Sequence, residues 1–294
     1  MLYKIGCYMQ NKNVLETIKD SLSTCSKGQR KIGEYLLSSY ATAAYLTAAK
    51  LSETVGVSES TIVRYATELG FYGYPELQSA LKYAARIKLT SVQRMELLKS
   101  RSADEALSKS FYSDIEGIKR TLSATDKTCF DNFVSAIMNA KSIYLVGARS
   151  AASLAIFMNF YLSILFDNVH IVHTVIGSEA FDQMFRVKEG DVVLGITFPR
   201  YSKLTIDVLE FSKRAGATVL GITDSARSPI AKTADITLFA DNESESFVDS
   251  LTAPLALINA LIHEICRRSP ENTEKRFSVL ESIWAENEVY DNDL

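Results

Sequence analysis

Apolar positions follow two different rhythms along this chain. Up to about residue 140 they recur every three or four residues, the spacing of amphipathic helices; from 141 to 240 they gather into short, nearly continuous runs. The first rhythm predicts helices over 13–25 and 27–38, a helical pair within 46–74, and further helices over 75–87, 104–122 and 126–140. In 104–122 the period is carried by Leu107, Phe111, Ile115, Ile118 and Leu122, and in 126–140 by Phe130, Phe133, Val134 and Ile137. Between 88 and 102 the apolar order weakens and charges scatter, as expected of a linker. The second rhythm predicts strands at 142–146, 169–175, 191–196, 218–222 and 236–239, with helices at 153–166, 177–186, 202–215 and 229–232. Nearly continuous apolar strands that alternate with helices imply a doubly wound parallel sheet. A long amphipathic helix over 246–268 follows, broken at Pro270, and then a last helix over 274–288 with Phe277, Leu280 and Trp284 inward. The fold class expected is an all-helical domain followed by a doubly wound parallel α/β domain.

The pair within 46–74 holds the most specific pattern. Ala48, Leu51 and Val55 share one face of its first helix. Gly56 supplies the left-handed stop, Val57 fills the angle between the helices, and Ser58 is a preferred N-cap. In the second helix Ile62, Ala66 and Leu69 point inward, while Ser60, Arg64 and Thr67 occupy the opposite face with Thr61 and Glu68 beside them. Short polar groups and one arginine opposite a buried stripe suit a helix inserted into a DNA major groove. An ordinary helical hairpin with a solvated face shows the same stripe. Lys27, Arg30 and Lys31 cluster at the start of an earlier helix, against its dipole; either they are solvated, or one or two, Lys31 among them, meet DNA phosphates.

Across both helices and the exit that follows, the run 46–81 resembles the N-terminal domain of RpiR-type bacterial transcriptional regulators. The resemblance rests on Thr47-Ala48-Ala49, the turn Gly56-Val57-Ser58, the exit Leu69-Gly70-Phe71, and Gly73-Tyr74-Pro75-Glu76-Leu77. It implies double-stranded DNA as a partner, read through Ser58, Ser60, Thr61, Arg64 and Thr67 with Lys31 on the backbone.

Charge changes the picture only once it is divided. The whole chain carries a net −3, but residues 1–90 hold 11 Lys/Arg against 7 Asp/Glu, and the remainder holds 21 against 28. The positive surplus lies at the end that resembles a DNA reader. Hydrophobic content of 47% and charged content of 23% are those of a folded globular protein, and 294 residues suffice for two cores. The four cysteines lie far apart, with no zinc-ligand spacing, which suits reduced thiols in the cytoplasm. The first residues hold no signal-peptide core, and the longest apolar run, 151–166, is interrupted by Asn159 and too short for a membrane span.

In the α/β half, two strand ends run directly into helices: Gly147-Ala148-Arg149-Ser150-Ala151-Ala152 and Thr197-Phe198-Pro199-Arg200-Tyr201-Ser202. Small residues admit an anion close to the backbone, hydroxyls and helix-start N–H groups donate to it, and Arg149 or Arg200 adds charge. Tight strand-to-helix turns need no ligand to look this way. Residues 141–268 resemble a sugar isomerase (SIS) domain, in which these two turns hold the phosphate of a phosphosugar. The resemblance matches Gly147, Ser150, Thr197 and Ser202 to family positions, and Ala155 to a small residue of the following helix. Arg149 stands for the usual second glycine, Ala151 for a common serine, and Phe198-Pro199-Arg200 for a more polar run, so the ligand expected is a small anionic metabolite, a phosphosugar or a related compound. His170 and His173, three apart on a strand, cannot share a metal, and His263 on an apolar helix reads as a core histidine. Glu179 lies near a strand end and suits either an isomerase base or a helix start. No catalytic set, metal site or cofactor is assembled from spacing.

The division expected is a helix-turn-helix domain over 11–87, a linker and connecting helices over 88–132, an SIS domain over 133–272 and a C-terminal helix over 273–294. The function expected is that of a cytoplasmic, DNA-binding regulator sensing a small anion and acting as a homodimer or higher oligomer through the helices 104–122 and 246–268; a sugar-phosphate isomerase with an accessory domain is the alternative.

Overall fold

The computed structural model describes residues 13–88, 90, 92–93, 95, 106–174, 179–244 and 248–291. The chain divides into two compact units, Met1–Arg101 and Ser102–Leu294.

The first unit is all helical: α1 (Val14–Ser21), α2 (Lys27–Ala43), α3 (Ala48–Val55), α4 (Glu59–Glu68) and α5 (Tyr74–Lys88). Its core gathers Ile18, Ile32, Leu36, Leu51, Ile62, Leu77 and Leu81 around the ring of Tyr65. The helix expected to stop at 38 continues to Ala43; Ser39 alone leaves helical geometry (φ −134°, ψ 29°), so the polar pair at 38–39 marks a kink rather than an end. Tyr74, at the start of α5, donates through its hydroxyl to the Leu46 carbonyl at 2.7 Å, and the Gln78 amide donates to the same oxygen at 2.6 Å. These bonds pin the α2–α3 connection onto α5, and burial pushes the Tyr74 hydroxyl up to about 12.

In the second unit α6 (Ala106–Ala124) and α7 (Lys127–Met138) precede an alternating series: β1 (Ile143–Gly147), α8 (Ala151–Leu165), β2 (Val169–Val172), α9 (Glu179–Met184), β3 (Val192–Ile196), α10 (Lys203–Arg214), β4 (Thr218–Thr223), α11 (Pro229–Thr233) and β5 (Ile236–Phe239). The helices α12 (Thr252–Arg268) and α13 (Pro270–Glu286) complete it. The five strands are all parallel in the order β2-β1-β3-β4-β5. One face is covered by α7, α8 and α12, with Phe133, Leu145, Met158 and Leu261 in its core; the other by α9, α10 and α11, with Val146, Val193, Val208 and Val219. Burial on both faces explains why every residue of β1 and β3 is apolar or glycine.

Three expectations are corrected here. The helix expected over 246–268 begins at Thr252, because Ser250 accepts from the Thr252 N–H (3.2 Å) while donating to Asp114 of α6 (2.6 Å), a long-range tie that fixes the start. His263 is exposed, on the outer face of α12, and is not a core residue. The last helix starts at Pro270 rather than 274, since proline is favoured in a first turn whose N–H groups have no intrahelical partner. Of its apolar residues Phe277 packs on the core, and Leu280 and Trp284 are half-buried. The linker over 88–102, the end of the second strand at Val175, Gly177 and Ser178 of the next helix, Asp104, Ser246 and Cys7 lie wholly or largely outside the described residues. Cys25, Cys129 and Cys266 are free thiols. No described helix is long and apolar enough to cross a membrane.

Candidate functional site

Two places in the fold collect the residues singled out by the sequence. The first is the α3–α4 pair. Thr47 caps α3 by accepting from the Lys50 N–H (3.2 Å). Gly56 ends it at φ 70°, ψ 46°, and both its N–H and that of Val57 return to the Ser52 carbonyl (2.9 and 3.1 Å). A side chain would be strained at that φ, so glycine sets the sharp angle between the helices. Ser58 then caps α4, accepting from the Thr61 N–H at 3.3 Å, with the Ser60 and Thr61 hydroxyls each 2.8 Å from its oxygen.

Within α4, Ile62, Tyr65 and Ala66 are buried, while Ser60, Arg64, Thr67 and Glu68 face solvent and Thr61 is half-exposed. Tyr65 was not singled out by sequence; it hydrogen-bonds Ser21 (2.9 Å), and burial raises its pKa. Arg64 lies 3.8 Å from the Glu68 carboxylate, both largely exposed, so this ion pair yields easily to a stronger anion. Glu68 is held from the other side by the Gln29 amide of α2. A Cβ at Gly28 would lie 3.7 Å from Thr61 and 3.8 Å from Val57, which brings the start of α2 against the start of α4. Lys27, Arg30 and Lys31 are all exposed at that end of α2. The starts of α2 and α4 therefore lie together at Gly28 and Thr61, with exposed cations on the first turn of α2, an arrangement suited to a phosphate backbone.

The second place is the carboxyl edge of the sheet between β1 and β3. These strands are neighbours, Gly147 pairing with Ile196, and from them the chain departs in opposite directions, to β2 and to β4. Such a reversal opens a crevice, and ligands of open α/β sheets bind there. The helix that follows each strand, α8 on one face and α10 on the other, points its N-terminus at this edge. Gly147 is required by the closeness of α8: a Cβ there would meet the Ala151 carbonyl oxygen at 2.6 Å.

The hydroxyls of the two loops are used differently. Thr197 is buried and accepts from the Ser202 N–H (3.0 Å); Ser202 caps α10, accepting from the Thr205 N–H (3.3 Å). Both oxygens brace their own loop, leaving their O–H protons for another acceptor. Ser150 precedes α8 in helical geometry, its side chain making no cap hydrogen bond and standing exposed. Arg149 beside it takes a left-handed backbone (φ 57°) and is also exposed, as is Arg200. Next to these loops the sequence reading missed a polar cluster. Tyr201 donates to Asp224 (2.8 Å), which also accepts from Thr223 and Ser225 (both 3.2 Å). Asp224 directly follows β4, and an acidic residue at that strand end was the available signal. Among the described residues, no group of three or more His, Cys, Asp or Glu gathers to hold a metal.

Comparison with known proteins agrees with this geometry. Residues 12–86 match the helix-turn-helix domain of the rpiR family, and residues 136–264 match the SIS domain. The HTH-type transcriptional regulator HexR of Pseudomonas aeruginosa is 26% identical over 233 residues, 77% of this chain and 78% of HexR. An HTH-type transcriptional regulator of Caldanaerobacter subterraneus is 25% identical over 256 residues, 85% of this chain and 89% of its own. Among solved structures, the sugar isomerase domain of an RpiR transcription factor from Sphaerobacter thermophilus superposes with a TM-score of 0.58 at 26% identity, covering 60% of this chain and 99% of that one. The NanR protein of Vibrio vulnificus, solved in complex with ManNAc-6P, shares the fold over 92% of this chain and 98% of its own, with a TM-score of 0.58 at 17% identity. With an rpiR-family helix-turn-helix domain followed by an SIS domain, this chain belongs to the RpiR-type transcriptional regulators.

Proposed function

We propose that this regulator binds operator DNA as a two-fold dimer through α4, and that a small anion held between the β1 and β3 loops alters that binding. The observation that carries the effector site is the convergence of two helix N-termini on the β1–β3 crevice, beside an uncommitted serine hydroxyl and an exposed arginine. Free N–H groups and the helix dipoles favour negative charge at such a point. Ser150 donates to the ligand, Thr197 and Ser202 donate their remaining protons, Gly147 admits it close to the backbone, and Arg149 or Arg200 neutralises it. A phosphosugar or a related anion fits these groups, and NanR, with the same fold, holds one such compound. On the DNA side Arg64 reads a base edge, Ser58, Ser60, Thr61 and Thr67 line the groove or its phosphates, and Lys31 contacts the backbone.

The protein works by binding in the cytoplasm, where its operator lies. Aldose–ketose phosphate turnover by the purified chain would overturn that reading in favour of an isomerase. The effector influences DNA only by favouring one arrangement of the dimer over another. Thermal-shift screening of sugar phosphates and related anions identifies the effector, because a ligand specific to the folded state raises its melting temperature. Operator affinity is then measured with and without the compound found. Effector affinity unchanged in a Ser150→Ala/Ser202→Ala double variant would place the ligand elsewhere; effector response lost with DNA binding intact is the expected result.

A further inference from the structure

Glu68 stands where a carboxylate is least expected. It is the last residue of α4, where negative charge opposes the helix dipole, and it is exposed along with Ser60, Arg64 and Thr67. On a surface that meets a polyanion, an acidic side chain also repels phosphate. Its pair with Arg64 does little to offset this. Arginine four residues before glutamate is the weaker order in a helix, and the two side chains are 65% and 52% exposed.

Gln29 keeps the carboxylate in place. This residue is buried in α2, and its amide oxygen accepts from the Ser26 N–H at 2.9 Å, closing the capping box of that helix. Its NH2 group is thereby turned to α4, where it donates to one oxygen of Glu68. The other Glu68 oxygen faces Nε of Arg64 at 3.8 Å. A guanidinium engaged along its Nε edge leaves its Nη1–Nη2 end for a second pair of acceptors, and guanine O6 and N7 are the pair that this fork fits.

We infer that Glu68 is a positioning residue: anchored by Gln29, it turns the Arg64 guanidinium so that its Nη1–Nη2 end meets a guanine edge rather than a phosphate. The inference rests on the reading of Arg64 given above and deepens it by naming the base and the residue that aims the side chain. In water an exposed pair of this length is weak. In the groove water is excluded, and attraction between charges grows as the local dielectric falls. A carboxylate fixed from α2 acts there on a side chain that is otherwise long and mobile. Without it the arginine is drawn to whichever phosphate lies nearest, which adds affinity for all sequences alike and preference for none.

Sequence enrichment from a library of randomised duplex DNA tests this on the full-length wild type, Glu68→Gln, Arg64→Ala and the double variant. Each protein is then titrated with the enriched duplex and a scrambled one. Glu68→Gln is the informative change, because its side-chain oxygen still accepts from Gln29 while the charge facing Arg64 is gone. Wild type is expected to enrich a site holding a guanine, the preference for which disappears in Arg64→Ala. Glu68→Gln is expected to lose preference for that same guanine by about fivefold or more, the lower end of what a bidentate arginine–guanine pair discriminates. It should bind scrambled DNA at least as tightly as wild type does. The double variant is expected to match Arg64→Ala, since a residue that acts through Arg64 has nothing left to act on. Unchanged preference in Glu68→Gln overturns the inference and leaves Glu68 as a tie between α2 and α4. So does equal weakening on every duplex, or a base other than guanine at the position Arg64 reads. Lost preference at another base pair that persists in the Arg64→Ala background makes Glu68 a reader in its own right and overturns it too. If Arg64→Ala keeps every wild-type preference, or wild type enriches no sequence, the reading of Arg64 falls and the positioning role with it.

Discussion

In α4, Ile62, Tyr65 and Ala66 are buried in the first unit, and the polar residues Ser60, Arg64 and Thr67 face outward. In α6 the arrangement is reversed: Gly117 and Thr121 are buried, and Phe111, Ile118 and Leu122 are exposed. Both helices show apolar residues at three- and four-residue intervals, and the pattern alone does not separate them. What separates them is the second face. The polar face of α4 is a row of short hydroxyls and one arginine whose partners lie within the helix and its cap, the surface proposed to exchange water for DNA. One polar face of α6 is already committed to Ser250, Thr252 and Asp241 of its own unit. A helix whose polar residues are spent inward has its apolar residues left for something else.

The sharpest way to break this comparison is to make the same truncation in both helices. Ile62→Ala is expected to cost the first unit about 2–5 kcal/mol, the range for deleting a fully buried isoleucine side chain and leaving a cavity. Ile118→Ala, measured where the protein is monomeric, is expected to change the stability of the second unit by about 0.5 kcal/mol or less. Trp284, the single tryptophan, lies on α13 and reports the second unit, while circular dichroism follows both. Equal costs at the two positions would mean that α6 is covered within its own unit.

Alkali provides a second test, since burial raises the hydroxyls of Tyr74 and Tyr65 in the first unit and, in the same direction, that of Tyr144 in the second. Burial raises Tyr74 to about 12, whereas in the unfolded chain it ionises near its ordinary value of 10.0. The folded state thus favours the protonated hydroxyl. The associated stability is complete below pH 10 and is lost as pH climbs toward 12, by about 3 kcal/mol at most. Tyr65, also raised, acts in the same direction. Denaturant unfolding at pH 9 and pH 11.5 checks this, with Tyr74→Phe flattening the pH dependence. An equal loss in that variant would remove Tyr74 as the cause.

Much of this organisation is legible in the sequence. The central strands β1 and β3 announce themselves because burial on both faces leaves no polar positions, and the α3–α4 turn because Gly56 and Ser58 have local physical roles. The two loops at the sheet edge were also legible as small residues and hydroxyls between strand and helix. What was not legible depends on partners far along the chain. Periodicity assigns Leu107 to Leu122 to one face and says nothing of what covers it. The start of α12 at Thr252 depends on Asp114, 138 residues away. His263 lies in an apolar helix yet faces outward, since α12 buries only one side. The left-handed backbone at Arg149 is not marked by the residue itself, since that conformation usually carries glycine; the available signal was that Arg149 stands where the SIS resemblance has a glycine.

On the DNA face the expected effects are smaller and differ in kind between two cations. Arg64→Ala should cost about 1–3 kcal/mol at the specific site and relax base preference there. Lys31→Ala should weaken specific and random DNA alike and make the salt dependence shallower. Binding assays over a salt series separate the two. Unchanged operator affinity in Arg64→Ala at fixed salt would exclude α4 as the reading helix through this residue.

The smallest effect is the most discriminating for the effector site, because Ser58, Ser150 and Ser202 all precede helices but Ser150 makes no cap hydrogen bond. Ser58 and Ser202 each accept from an N–H three residues on, and alanine at either is expected to cost about 1 kcal/mol through the lost cap. Ser150 makes no such bond and is exposed, so Ser150→Ala should leave stability within about 0.5 kcal/mol of wild type. That result would leave the hydroxyl for the proposed ligand. Calorimetric titration of the effector should find its affinity reduced in Ser150→Ala, by about 1 kcal/mol for a neutral donor and up to 3 if it faces a phosphate. In Ser202→Ala the losses of stability and affinity should appear together, since that hydroxyl both caps α10 and shapes the loop. A Ser150→Ala protein that is destabilised like Ser202→Ala would reveal a structural bond there. One with unaltered stability and unaltered affinity would remove the β1 loop hydroxyl from the site and leave the anion to the N–H groups and Arg149.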